Sequence, residues 1–135
     1  MPRKSVNPLE NEALCVTDQA KARAFPSGAI RNSEAGKLDY DGFLSPPVLR
    51  RYAQYMDRQR KLEDGSFRAS DDWQRGIPCD SYMRSLWRHF MDVWTLHRGH
   101  KASAVIEDAL CAVIFNAMGY LHEVLRNANS GRKTS

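Results

Sequence analysis

Apolar residues recur every three or four positions along three stretches of the chain. The clearest spans residues 81–98, where Tyr82, Leu86, Phe90, Val93 and Trp94 follow i, i+4, i+8, i+11, i+12 spacing, the signature of one helical face. Asp80 stands before it as an expected N-cap and Gly99 after it as an expected stop. A second helix is expected over residues 47–63, because Pro46 and Pro47 suit a first turn. Val48, Leu49, Tyr52, Tyr55, Met56 and Leu62 would form its buried side, and Arg50, Arg51, Arg58, Arg60 and Lys61 its outer side. Asp64, Gly65 and Ser66 would end it. The third helix is expected over residues 102–126, with Ala104, Val105, Ala109, Ala112, Val113, Phe115, Leu121 and Leu125 as its apolar content. Its alanines at 109, 112 and 117 permit close packing. No strand pattern stands out, and there is no internal repeat.

These periods predict an all-α chain: a compact bundle of three main helices with an N-terminal arm and a long functional loop. The arm is residues 1–26, polar and interrupted by Pro2, Pro8 and Pro26, with a short helix over residues 9–24 as one option and docking on a partner subunit as its expected role. The helical domain is residues 27–127, and residues 128–135 form a basic tail. Residues 27–47 are rich in glycine, proline and small polar residues, which reads as a loop. It is long for a compact domain, a property of functional loops. It holds Glu34, Lys37, Asp39 and Asp41. Lys37 could contact phosphate and the carboxylates a metal, or the stretch could be a solvated connector with turn-forming aspartates.

Composition narrows the class. With 135 residues, 42% hydrophobic and 27% charged, the chain suits one domain with its own core. No apolar run approaches the roughly 20 residues that span a bilayer, and the start shows no apolar signal-peptide region. Three cysteines, Cys15, Cys79 and Cys111, lack C-x-x-C spacing, which fits a reducing cytoplasm better than a disulfide framework. The net charge of +4 suits a phosphate-bearing small ligand or weak nucleic-acid contact, or simply a solvated charged helix face.

The candidate chemistry sits on the last two helices. Arg88, His89 and Asp92 lie within one turn of each other, and Glu107, Asp108 and Asn116 interrupt an apolar helix, where polar groups are costly unless paired. A short connection makes the two helices antiparallel neighbours. Asp92 and Asp108 each lie about eight residues from the turn, a level match by the helical rise. Two carboxylates at one level could share Mg²⁺, which takes oxygen ligands and substrate phosphates. The plainer alternatives are a hydrogen-bonded His89–Asp92 pair and an Arg88–Asp92 ion pair. Trp73, in a loop bounded by Gly76 and Pro78, could stack on a base or plug the end of a bundle. No P-loop, G-x-G-x-x-G, G-x-S-x-G or H-E-x-x-H motif is present.

Gly36-Lys37-x-Asp39 before Pro46-Pro47, Asp72-Trp73-Gln74-Arg75-Gly76-Ile77-Pro78, Leu86-Trp87-Arg88-His89, and Asp108 with Asn116 together resemble the phage-encoded dATP/dGTP diphosphohydrolase-like family, small relatives of the MazG-type all-α nucleotide pyrophosphohydrolases. The resemblance spans roughly residues 28–125. It implies a helical homo-oligomer in the host cytoplasm that uses Mg²⁺ to cleave a purine deoxynucleoside triphosphate to monophosphate and pyrophosphate, without membrane or stable nucleic-acid partners. It implies catalytic roles for His89 and Asp92, nucleotide contacts from Lys37, Asp39, Trp73, Arg88 and Asn116, and metal ligation by Asp92, Glu107 and Asp108. The chain departs from MazG-type enzymes in lacking their Glu-Glu-x-x-Glu and Glu-x-x-Asp motifs. Keeping the pocket while losing carboxylates implies the alternative of a non-catalytic protein that binds and sequesters a nucleotide.

Overall fold

The computed structural model describes residues 22–132, and the chain divides into two compact units, residues 1–45 and 46–135. The first unit holds β1 (Ala22–Ala24) and β2 (Ile30–Asn32), which pair antiparallel with Arg23 opposite Arg31. The Phe25 amide donates to the Ala29 carbonyl at 2.9 Å, and Gly28 takes φ of 87° in the connecting turn. A short α1 (Tyr40–Phe43) follows, capped by Asp39, whose carboxylate accepts the Gly42 amide at 2.9 Å. The expected loop therefore has structure of its own. The pattern missed the strands because three residues each, drawn from Ala, Arg, Ile and Asn, carry no alternation; backbone pairing around the turn makes them. Residues 1–21, which hold most of the arm and of the helix expected over residues 9–24, lie outside the described residues, and residues 22–24 form β1 instead of the end of that helix.

The second unit holds α2 (Pro46–Gln59), a 3₁₀ turn (Asp72–Arg75), α3 (Cys79–His97) and α4 (Ile106–Arg132). The described chain is thus mostly helical, with one small two-stranded ladder. None of its helices is long and apolar enough to cross a membrane. α4 is the element the others share. α3 packs along it, α2 and the 3₁₀ turn each touch it over a short stretch, and no Cα of α2 comes within 8 Å of one on α3.

Several expected boundaries move. α2 ends at Gln59, and Asp64, Gly65 and Ser66 instead turn the chain back so that Lys61 bridges Phe67. There Gly65 has φ of 85° and Asp64 accepts the Ser66 amide at 2.9 Å. Val48, Leu49 and Leu62, expected inside, are exposed, because α2 meets α4 only along part of its length. Pro78 takes the N-cap position of α3, so Asp80 falls within the first turn, where its charge complements the helix dipole. The far end behaves as expected. The Gly99 amide donates to Leu96 and that of His100 to Thr95, the Schellman pattern, with Gly99 at φ 82°. α4 continues to Arg132 because nothing between Arg126 and Ser130 breaks it, and the Ser130 hydroxyl bonds back to the Arg126 carbonyl at 3.1 Å.

The face α3 turns inward is rotated from the expected one. Tyr82, Leu86, His89, Val93 and Leu96 are buried or half-buried, while Phe90 and Trp94 are exposed. Tyr82, only 2% exposed, lies over Gly119 of α4 and meets Phe115 edge-on at 5.9 Å. The inward line of α4 is Ala109, Ala112, Asn116, Gly119 and Glu123, whose small residues let α3 close in.

Candidate functional site

The α2 and α3 backbones each approach α4 but not each other, and a wedge opens between them. It is a cleft of about 580 Å³. Tyr52, Tyr55 and Met56 of α2 form one wall, Ser85 and His89 of α3 the other, and Phe115, Asn116 and Met118 of α4 the floor. Trp73 closes one side, edge-on to Phe115 at 6.1 Å and to the His122 ring at 5.0 Å. It therefore plugs the helix junction and faces the cleft at once. Tyr52 and Tyr55 are half-buried; loss of water around it pushes the Tyr52 hydroxyl up to about 12, and burial likewise raises that of Tyr55. Both phenols stay neutral in the physiological range, as hydrogen-bonding groups on an aromatic wall.

Two arginines, Arg60 and Arg68, also line the cleft. The chain reversal after α2 holds them: the Arg60 Nε donates to the Arg68 carbonyl at 2.9 Å, and the Arg68 guanidinium to the Gln59 carbonyl at 2.8 Å. Arg60 also pairs with Asp57 at 3.1 Å. Asp57 and Asp72 line the cleft too, Asp72 with Arg75 at 3.4 Å. A guanidinium has five donors, so each cleft arginine keeps some beyond these bonds.

Beside the cleft, Asp108 receives two guanidiniums from α2. It accepts from Arg51, and from Arg58 at 2.7 Å. Glu107 lies 3.8 Å from Arg51. The two hydrogen bonds hold the Asp108 carboxyl below the usual carboxylate range, and its hydrogen bond raises Arg51 in turn. Arg51 and Arg58 are seven residues apart, two turns of one helix, so both reach one carboxylate. This corrects the outward placement expected for Arg51, which is half-buried. It also explains a polar residue in the first turn of an apolar helix.

The residues singled out in the sequence therefore part company. Trp73, His89 and Asn116 share the cleft. Asn116 is buried, its amide donating to the Ala112 carbonyl at 2.8 Å. Arg88 is exposed and donates to Ser85 at 2.9 Å; among the described residues it forms no ion pair with Asp92, which is half-buried on α3. Lys37 and Asp39 belong to the first unit, Lys37 in a turn where its amide donates to the Glu34 carbonyl at 3.0 Å, Asp39 as the cap of α1. Among the described residues no three His, Cys, Asp or Glu side chains gather as a metal-ligand set. Of the three carboxylates expected to share Mg²⁺, Asp92 lies half-buried on α3, Glu107 is exposed near Arg51, and Asp108 is turned to α2, where Arg51 and Arg58 hold it. Sequence reasoning missed Tyr52, Tyr55, Arg60, Arg68 and Phe115 as cleft residues. The i, i+3 spacing of Tyr52 and Tyr55, beside the i, i+7 spacing of Arg51 and Arg58, was the available signal.

No protein-family model matches the chain, and searches of the curated proteins and of the solved structures returned no match.

Proposed function

We propose that this protein binds a purine nucleotide in the cleft between α2, α3 and α4 and holds it without turnover. The observation that carries the reading is the wall composition: Tyr52, Tyr55, Trp73 and Phe115 around a space of about 580 Å³ that Arg60 and Arg68 also line. That volume falls in the range of small-ligand sites, about 300–1,000 Å³. Aromatic faces stack on a base, and guanidiniums take phosphate oxygens in pairs. Asn116 and His89 stand where hydrogen bonds to the base or sugar would fix orientation.

The second reading is Mg²⁺-dependent diphosphohydrolysis of a purine deoxynucleoside triphosphate. The sequence resemblance favours it, as does His89 in the cleft. Against it, Asp108 would have to leave two guanidiniums to ligate an ion. Both readings are compatible with a helical bundle, a homo-oligomer and a cytoplasmic setting.

Calorimetric titration with dATP and dGTP, in EDTA and again in Mg²⁺, separates them. Binding in EDTA with intact triphosphate recovered supports sequestration. Monophosphate and pyrophosphate appearing only with Mg²⁺ supports hydrolysis. A ligand at 100 times its Kd adds about 2.7 kcal/mol of stability, so a thermal shift serves as an independent readout. Trp73→Ala should weaken binding about tenfold or more, as loss of one base stack does. Absence of nucleotide binding under every condition would end both readings.

A further inference from the structure

Trp73 forms a wall of the cleft from a segment with little to hold it. It sits in a 3₁₀ turn of four residues, Asp72–Arg75, and Asp71 before it makes no side-chain cap bond. A turn that short does not fix its own place. The Trp73 ring meets Phe115 and His122 edge-on, but apolar burial is non-directional. Among the described residues no backbone–backbone bond joins residues 69–78 to α4. The directed tie comes from a side chain: Arg126 of α4 donates through Nη1 to the Gln74 carbonyl at 3.0 Å, one residue beyond Trp73.

Arg126 is itself aimed, by Glu123 one turn earlier on α4. Glu123 is only 6% exposed, and a carboxylate withdrawn from water needs a counter-charge. Its Oε2 lies 3.6 Å from the Arg126 Nε, while its Oε1 is buried without a hydrogen-bond partner. A guanidinium is a rigid plane with donors on several edges. Turning Nε toward Glu123 therefore also decides where Nη1 and Nη2 reach. Nη1 meets Gln74, and Nη2 passes over Gly76, where a Cβ would lie 3.3 Å from it. Gly76 has φ of 125°, a conformation that side-chain-bearing residues rarely adopt. The glycine both turns the chain and leaves the guanidinium room.

We infer that Arg126, aimed by Glu123 and let through by Gly76, is a positioning residue of the cleft: it sets where Trp73 stands, and through Trp73 how tightly the cleft holds a base. Arg126 does not line the cleft and acts on it only through the Gln74 backbone. The binding consequence rests on the nucleotide reading of the cleft; the placement of Trp73 does not. A plainer role for Arg126, neutralising a buried carboxylate, could be filled by any cation. Spanning Glu123 and Gln74 at once needs the planar fork, because a lysine offers a single nitrogen.

Fluorescence of the full chain tests the placement. Trp87 and Trp94, both exposed on α3, are first changed to Phe, so that Trp73 alone reports. In that parent, Glu123→Gln together with Arg126→Met removes the fork without leaving a buried charge unpaired, which would itself be destabilising. Trp73 emission is expected to move to longer wavelength and its quenching by acrylamide to rise, while the far-ultraviolet helical signal stays the same. Arg126→Lys, which keeps the charge beside Glu123 and so protects the fold, is expected to shift the emission in the same direction. The Kd for dATP and dGTP, by calorimetry, should rise about tenfold in the forkless protein, as loss of one base stack does. Adding Trp73→Ala to it should cost less than about threefold more, because both changes remove one contact. Unchanged emission in the forkless protein overturns the proposal whatever the cleft binds. So does a shifted emission with unchanged affinity for a nucleotide that the parent binds. Parent-like emission from Arg126→Lys reduces Arg126 to its charge and overturns the positioning role. If the parent binds neither nucleotide, the nucleotide reading fails, and the emission alone decides whether Arg126 places Trp73.

Discussion

At the scale of single residues, Asp108 shows how a side chain can be legible in kind and illegible in partner. A carboxylate opening an apolar helix asks for a counter-charge, and that much follows from the sequence. Its partners, Arg51 and Arg58, lie fifty residues or more earlier, and only the placement of α2 brings them in, so a shared ion with Asp92 is the expectation that spacing alone produces. The pairing has a pH signature. The folded Asp108 carboxyl sits below its unfolded value of about 3.9, so the stabilisation is present above that value and fades as pH falls through the folded one. Asp108→Asn should therefore lower Tm by a few degrees at neutral pH, and the gap between the two proteins should close below about pH 4. Thermal melts across pH check both. A gap that persisted in acid would mean that the ion pair contributes nothing and that packing alone is lost.

At the scale of elements, the α3–α4 contact turns on one missing side chain. A Cβ at Gly119 would overlap the Cε1 and Cζ of Tyr82, and Tyr82 is the most buried large residue described. Gly119→Ala should destabilise by about 3 kcal/mol, the upper end for overpacking, even though alanine is the better helix former. Urea unfolding measures it; a neutral or stabilising result would show that Tyr82 can swing away. The three main helices were legible because proline starts, glycine stops and apolar periods agree on them. The rotation of α3 was not. Phe90 and Trp94 looked inward by hydrophobicity, but His89 and Leu96 share the inward face with Tyr82, and a stripe of aromatics does not say which partner it meets. The β1–β2 ladder was illegible for want of length.

At the scale of the whole described molecule, the cleft was only half readable. Trp73, His89 and Asn116 stood out as chemistry; Tyr52, Tyr55 and Phe115 read as ordinary core. They became walls because the backbones of α2 and α3 both lean on α4 and stay apart from each other. That gap has a consequence for motion. α2 is moored by its arginines and a short run of tyrosines, so its amides should exchange with deuterium sooner than those of α3 and α4 in the empty protein. A molecule bridging both walls would act as the mortar that the chain itself omits, and the slowing of exchange on adding nucleotide should concentrate in α2.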